Sequence, residues 1–90
     1  MNLKGELRQE LESLEAEYRY WLVETIRMDR SIDTIAEDIQ QHSQELGSQR
    51  VADFQRRLDE TRSQHEEIDR KIQSIRLRLD TLRGRLAGIP

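Results

Sequence analysis

Two histidines, His42 and His65, are the residues of this chain with the widest chemistry, because a neutral imidazole binds metal ions and exchanges protons near neutral pH. The chain has no cysteine, so it offers neither a thiolate ligand nor a disulfide. Both histidines fall on the apolar seam of a helix. In the folded-back arrangement derived below they differ in height by about 12 residues, or roughly 18 Å. They cannot share a metal ion, and we predict no metal site.

Acidic residues are numerous, but their helical spacing is typical of solvated helix faces. Glycine-rich phosphate loops, histidine pairs one turn apart and strained nucleophile turns are absent from the sequence. We therefore predict that the protein is not an enzyme and binds no cofactor.

Arginines in the C-terminal half, at 76, 78, 83 and 85, could in principle bind phosphates. Residues 1–46 carry 11 acidic and 5 basic residues, whereas residues 47–90 carry 7 acidic and 10 basic ones. Folding one half on the other cancels most of the positive field, and no aromatic residue alternates with these arginines to stack on bases. We therefore do not expect nucleic acid to be a partner.

The elements that carry these residues follow from a heptad lattice of apolar positions. It runs through Leu7, Leu11, Leu14, Tyr18, Trp21, Thr25, Met28, Ile32, Ile35, Ile39, His42 and Leu46, and then through Val51, Phe54, Leu58, Thr61, His65, Ile68, Ile72, Ile75, Leu79, Leu82, Leu86 and Ile89. Spacing by alternating threes and fours is the repeat of a coiled-coil seam. The pattern predicts an all-α protein.

The two runs of the lattice are out of phase, because continuing the first would place Gln49 and Asp53 in the seam. The break falls on Gly47-Ser48, a pair suited to end one helix and begin another. We predict a single domain over residues 1–90: a first helix over about 3–46, a turn at 47–48 and a second helix over about 49–88. The predicted fold is an antiparallel two-helix coiled-coil hairpin, which dimerises into a four-helix bundle.

Charges beside the seam agree with this fold. The predicted pairs on one flank are Glu10 with Arg85, Glu17 with Arg78, Glu24 with Lys71, Asp38 with Arg57 and Glu45 with Arg50, and those on the other flank include Glu15 with Arg76 and Asp29 with Arg62. In this alignment the residue numbers of two seam residues that face each other add up to 93, as for Leu14 and Leu79. Each pair contributes only a few tenths of a kcal/mol, but like charges disfavour other alignments.

One region departs from this pattern by placing large apolar residues outside the seam. These residues are Tyr20, Leu22, Val23 and Ile26 in the first helix and Leu77 in the second. Surplus apolar surface needs a partner, and a two-helix hairpin has only one stripe to bury. We predict that these five residues form a protein-interaction surface. The expected partner is a second copy in a homodimer, and the alternative partner is another helical protein.

The remaining composition suits a solvated coiled coil, with 37% charged residues and 4% aromatic residues. The longest apolar run is only residues 20–23, so neither a transmembrane segment nor a signal-peptide core is predicted. The expected function is a cytoplasmic interaction, scaffold or adaptor module with no membrane partner.

A second function comes from a resemblance around the turn. Leu46-Gly47-Ser48 followed by Phe54 resembles the turn of the WXG100 family of small helical-hairpin secretion substrates, in which a Trp-x-Gly turn precedes a helix with an aromatic residue. Leu46 stands in place of the tryptophan and Ser48 in place of the second glycine. The resemblance implies, as the alternative, a small secreted or secretion-linked helical hairpin.

Overall fold

The structure is a computed structural model that describes residues 2–90, and it is all-helical over that range. One helix, α1, is assigned from Leu3 to Ala87. Asn2 caps its start, because the Oδ1 atom of Asn2 accepts a 3.0 Å hydrogen bond from the Gly5 amide. At the other end the Gly88 amide donates to the Gly84 carbonyl oxygen.

The backbone of α1 is not helical throughout. Gly47 has φ 78° and ψ 162°, and His42 has φ −120° and ψ 15°. Gly47 is the residue at which the lattice changes phase, and it is the only residue with positive φ in the described chain. An 85-residue helix would extend for about 130 Å if it were straight, whereas the longest dimension of the molecule is 66 Å. The chain therefore does not run straight from Leu3 to Ala87.

The core is built from seam positions of both parts of α1. Leu7 and Leu14 share one buried cluster with Ile75, Leu79 and Leu82, and Trp21 is among the partly buried side chains packed against it. Every position of the predicted lattice is buried or half-buried except His42. The heptad pattern thus identified the side chains that leave solvent, and the exception lies where the backbone departs from helical geometry.

Within residues 2–90, no helical stretch combines the length and the apolar character that crossing a membrane requires.

Candidate interaction surface

The candidate site is a group of exposed apolar side chains. Leu22 is 39% exposed, Val23 and Ile26 are each 53% exposed, Tyr20 is 57% exposed and Leu77 is 69% exposed. These are the five residues that the sequence analysis selected. The structure adds Leu3, which is 57% exposed.

Four of the five residues lie along one stretch of helix, and three of them share a face. Leu22 and Ile26 are one turn apart, and Val23 lies three residues before Ile26. Side chains at these spacings are neighbours on a helix surface. Leu22, Val23 and Ile26 are named the apolar patch below, and Tyr20 lies at its edge with its ring packed edge-on against that of Trp21, at 5.0 Å between ring centroids.

Leu77 does not belong to the same face. It stands two residues from buried Ile75 and two residues from buried Leu79, so its side chain points about 160° away from the seam. Val23 has the same relation to the half-buried residues Trp21 and Thr25. Both side chains point away from the lattice positions beside them, and Leu77 lies 51 residues along the chain from Ile26, outside the apolar patch.

Beneath the patch the seam is poorly paired. The Nε1 atom of Trp21 and the Oγ1 atom of Thr25 are buried without a hydrogen-bond partner in residues 2–90. The Nζ atom of Lys71 lies 4.3 Å from the centroid of the Trp21 ring, a cation–π contact. Buried polar atoms without partners cost free energy, so this layer adds less stability than the leucine layers nearer the chain ends.

His65 occupies a half-buried position between two carboxylates. Its Nε2 atom is 2.8 Å from Asp29 Oδ1, and its Nδ1 atom is 3.2 Å from Asp69 Oδ2. The contact with Asp29 is short but not aligned as a directed hydrogen bond. His65 thus contacts residues far from it and near it in sequence, which fits the predicted role of a seam residue with its polar edge at the margin.

The other histidine, His42, contacts Glu45 at 3.2 Å within its own helical turn. Its side chain is 49% exposed, so the prediction that His42 belongs to the seam is wrong. The physical reason is the non-helical backbone at His42, which rotates this residue off the periodic stripe. The described residues contain no group of three or more histidine and acidic side chains that could hold a metal ion.

Ion pairs join residues that are distant in sequence, but with partners other than those predicted. Glu10 contacts Arg78 at 3.9 Å, and Glu15 contacts Arg83 at 3.4 Å. The predicted partners were Arg85 and Arg76, each one heptad away from the observed one. Arginine side chains are long enough to reach a carboxylate in the next heptad, so seam register does not fix their partner.

Comparison with known proteins identifies no relative of this chain. No protein-family model, no curated protein and no solved structure matches the chain.

Proposed function

We propose that this chain is a non-enzymatic protein–protein interaction module, built as an antiparallel two-helix coiled-coil hairpin that self-associates into a four-helix bundle. The observation that carries this proposal is the apolar patch, where Leu22, Val23 and Ile26 are exposed on an otherwise charged helix. Exposed apolar side chains gathered on one face are typical of interaction sites. A scaffold or adaptor role in the cytoplasm is the biological setting that we propose for it.

Three observations support the hairpin. The length of 66 Å matches one arm of about 45 residues rather than a straight helix of 85 residues. The core cluster combines residues 7 and 14 with residues 75, 79 and 82. The interruption at Gly47 lies near the middle of the chain, where a turn gives two arms of nearly equal length.

The ion pairs also support a definite register. The two residue numbers add up to 88 for Glu10–Arg78 (10 + 78) and to 98 for Glu15–Arg83 (15 + 83). The mean of the two sums is 93, which is the sum that the seam layers predict. Because the two deviations have opposite signs, they reflect the reach of the side chains and not a sliding of one arm along the other.

A distance between spin labels tests the hairpin. Glu12 and Asp80 are both exposed and lie at the same height in this register, since 12 + 80 is close to 93. Labels at these positions, in a sample diluted with unlabelled protein, should lie within two helix diameters, or roughly 20 Å. Labels at Glu12 and Asp53 are the control and should be much farther apart. A 12–80 distance of several times 20 Å within one chain would contradict the hairpin.

Self-association is supported by the thinness of the core. Within residues 2–90 only seven side chains are buried, and none of them falls below 2% exposure. Small domains of this size usually need a metal, disulfides or oligomerisation for stability. The chain has no cysteine and its described residues have no metal-binding group. A second copy on the apolar patch would supply the missing burial.

Charging the patch tests the interface. The double variant Val23→Glu with Ile26→Lys would place charged side chains in the apolar contact of the dimer, which costs several kcal/mol and should weaken a micromolar dimer more than a hundredfold. Sedimentation should show the mass halved while much of the helical circular dichroism persists, because neither residue is in the seam.

The matched control is Leu77→Glu, which adds a charge at an exposed leucine that the proposed hairpin places on the opposite side. It should leave the mass unchanged. If the Val23/Ile26 variant keeps the wild-type mass, the patch is not the homodimer interface. A wild-type chain that is a stable monomer at micromolar concentration would also contradict the proposal.

The secretion-linked alternative stays a prediction, and no contact in the structure favours it over the interaction module.

A further inference from the structure

The charges around the apolar patch differ from those of the arm that carries it. Residues 1–46 are strongly acidic overall, whereas residues 19–30, which span the patch, carry three basic residues, Arg19, Arg27 and Arg30, and only two acidic ones, Glu24 and Asp29. Two copies of this arm would repel each other along most of their length. The repulsion is smallest at the patch, which makes this segment the place where one copy of the arm can approach another.

The position of the patch along the arm limits how a second copy can cover it. Three side chains bury much less than the roughly 1,600 Å² of a typical stable interface. The patch is centred near residue 24, which is the middle of the predicted arm over residues 3–46. An antiparallel pairing centred there brings the two arms together over their full length. Any pairing centred elsewhere would leave one end of each arm uncovered.

The C-terminal arm of a second copy is a poorer cover for the patch. In the proposed register, residues near 69 lie at the height of residue 24. The side chains there that face sideways are Glu66, Asp69 and Gln73, all polar. An apolar patch placed on them would desolvate charges without gaining apolar contact.

We propose that the second copy docks antiparallel, first arm against first arm, with Leu22 packed on the second copy's Ile26 and Arg19 paired with the second copy's Asp29. The numbers of two residues that face each other across the two copies then add up to 48, as for 22 + 26 and 19 + 29. A two-fold axis makes each of these contacts twice. This inference rests on the proposed function, because it specifies the geometry of the same interface.

The two charged residues are free to make this contact. Arg19 is exposed and forms no ion pair within residues 2–90. The Asp29 side chain is 58% exposed, although one of its oxygens contacts His65. In a parallel pairing of the two arms each charge on this face, Arg19 and Asp29 included, would face its own copy, whereas the antiparallel pairing sets like charges together on this face at Glu15 and the second copy's Asp33 (15 + 33).

Charge reversal tests the pairing. Arg19→Glu and Asp29→Arg, each made alone, replace two attractive pairs with two repulsive ones and should each weaken the dimer about tenfold. The double variant Arg19→Glu/Asp29→Arg restores opposite charges and should associate within about twofold of the wild type. It loses the same Asp29–His65 contact as the single variant and so controls for that loss. Single variants that associate normally, or a double variant no better than they are, would overturn the pairing.

A spin label in place of Ser13, an exposed residue on the side of the arm away from Leu22 and Ile26, measures direction independently of these charges. In the antiparallel dimer the two labels are separated along the axis by 22 residues, or about 33 Å. A parallel dimer would hold them within roughly 20 Å. A dimer with the short distance overturns this inference and leaves the proposed function intact, whereas a wild-type monomer overturns both.

Discussion

Replacing Leu79 with alanine is expected to lower the free energy of unfolding by about 2–5 kcal/mol, the range measured for leucine truncations in well-packed cores. Leu79 is only 2% exposed and belongs to the cluster with Leu7, Leu14, Ile75 and Leu82. Removing its side chain leaves a cavity between the two parts of the chain that form this cluster. A protein with a core this small has little stability in reserve.

Leu77→Ala is the matched control for this experiment. Leu77 is two residues away and 69% exposed, so the same change of residue should shift the free energy of unfolding by no more than about 0.5 kcal/mol. Urea titrations followed by circular dichroism measure both values, at equal protein concentration because association adds to apparent stability. Equal losses for the two variants would mean that residue 79 does not lie in a packed core.

The seam is the part of the structure that the sequence predicted best. A heptad repeat predicts which side chains are buried. The observed burial agrees at every lattice position except His42. That position failed because periodicity assumes a continuous helix, and the backbone at His42 leaves helical geometry five residues before Gly47. Nothing in the side chain of a histidine signals such a departure.

Ion-pair partners were harder to predict than the seam. Glu10 and Glu15 each contact an arginine one heptad away from the expected one. A flexible arginine can reach several carboxylates at nearly equal energy. The alignment of the seam therefore limits which carboxylates are possible partners but does not select one of them. His65 is similar, because its contacts with Asp29 and Asp69 depend on how the ring turns within its layer.

The sequence predicted which residues of the candidate site are exposed, but not whether they lie on one surface. Counting large apolar residues outside the lattice selects the five exposed side chains, and the same count would also have selected Leu3, which the prediction left out. Whether they form one surface depends on their angular positions on two packed helices. In the proposed hairpin Leu77 lies opposite Val23, so the proposed interface uses the apolar patch and not Leu77. The apolar patch alone carries the proposed interface.

The location of the patch has an energetic consequence. It lies over the layer where Trp21 and Thr25 bury polar atoms without partners, so the weakest part of the seam and the exposed apolar surface occur at one height. In the proposed dimer, a second copy packed there would exclude water from the layer that is least stabilised within the single chain. Association would in this way contribute stability where the single chain lacks it.

Gly47→Ala is expected to destabilise the bend and lengthen the molecule. The backbone at Gly47, with φ 78° and ψ 162°, lies in a region that is open almost only to glycine, and forcing a residue with a Cβ into it costs about 1–3 kcal/mol. No atom lies within 4 Å of a Cβ built at this position, so the cost comes from backbone conformation and not from crowding. Alanine also favours the helix.

The expected outcome is a population in which the helix continues through residue 47. A straight helix of 85 residues has a radius of gyration of about 37 Å, compared with 20.0 Å for the present structure. Small-angle scattering of Gly47→Ala should therefore give a larger radius. The released seams would pair between chains, so the mass should rise as well. Gly84→Ala is the matched control, because Gly84 has no positive φ and no atom close to an added Cβ. That variant should keep the wild-type radius and lose no stability. If the two alanine variants scatter alike, the conformation of Gly47 does not determine the bend.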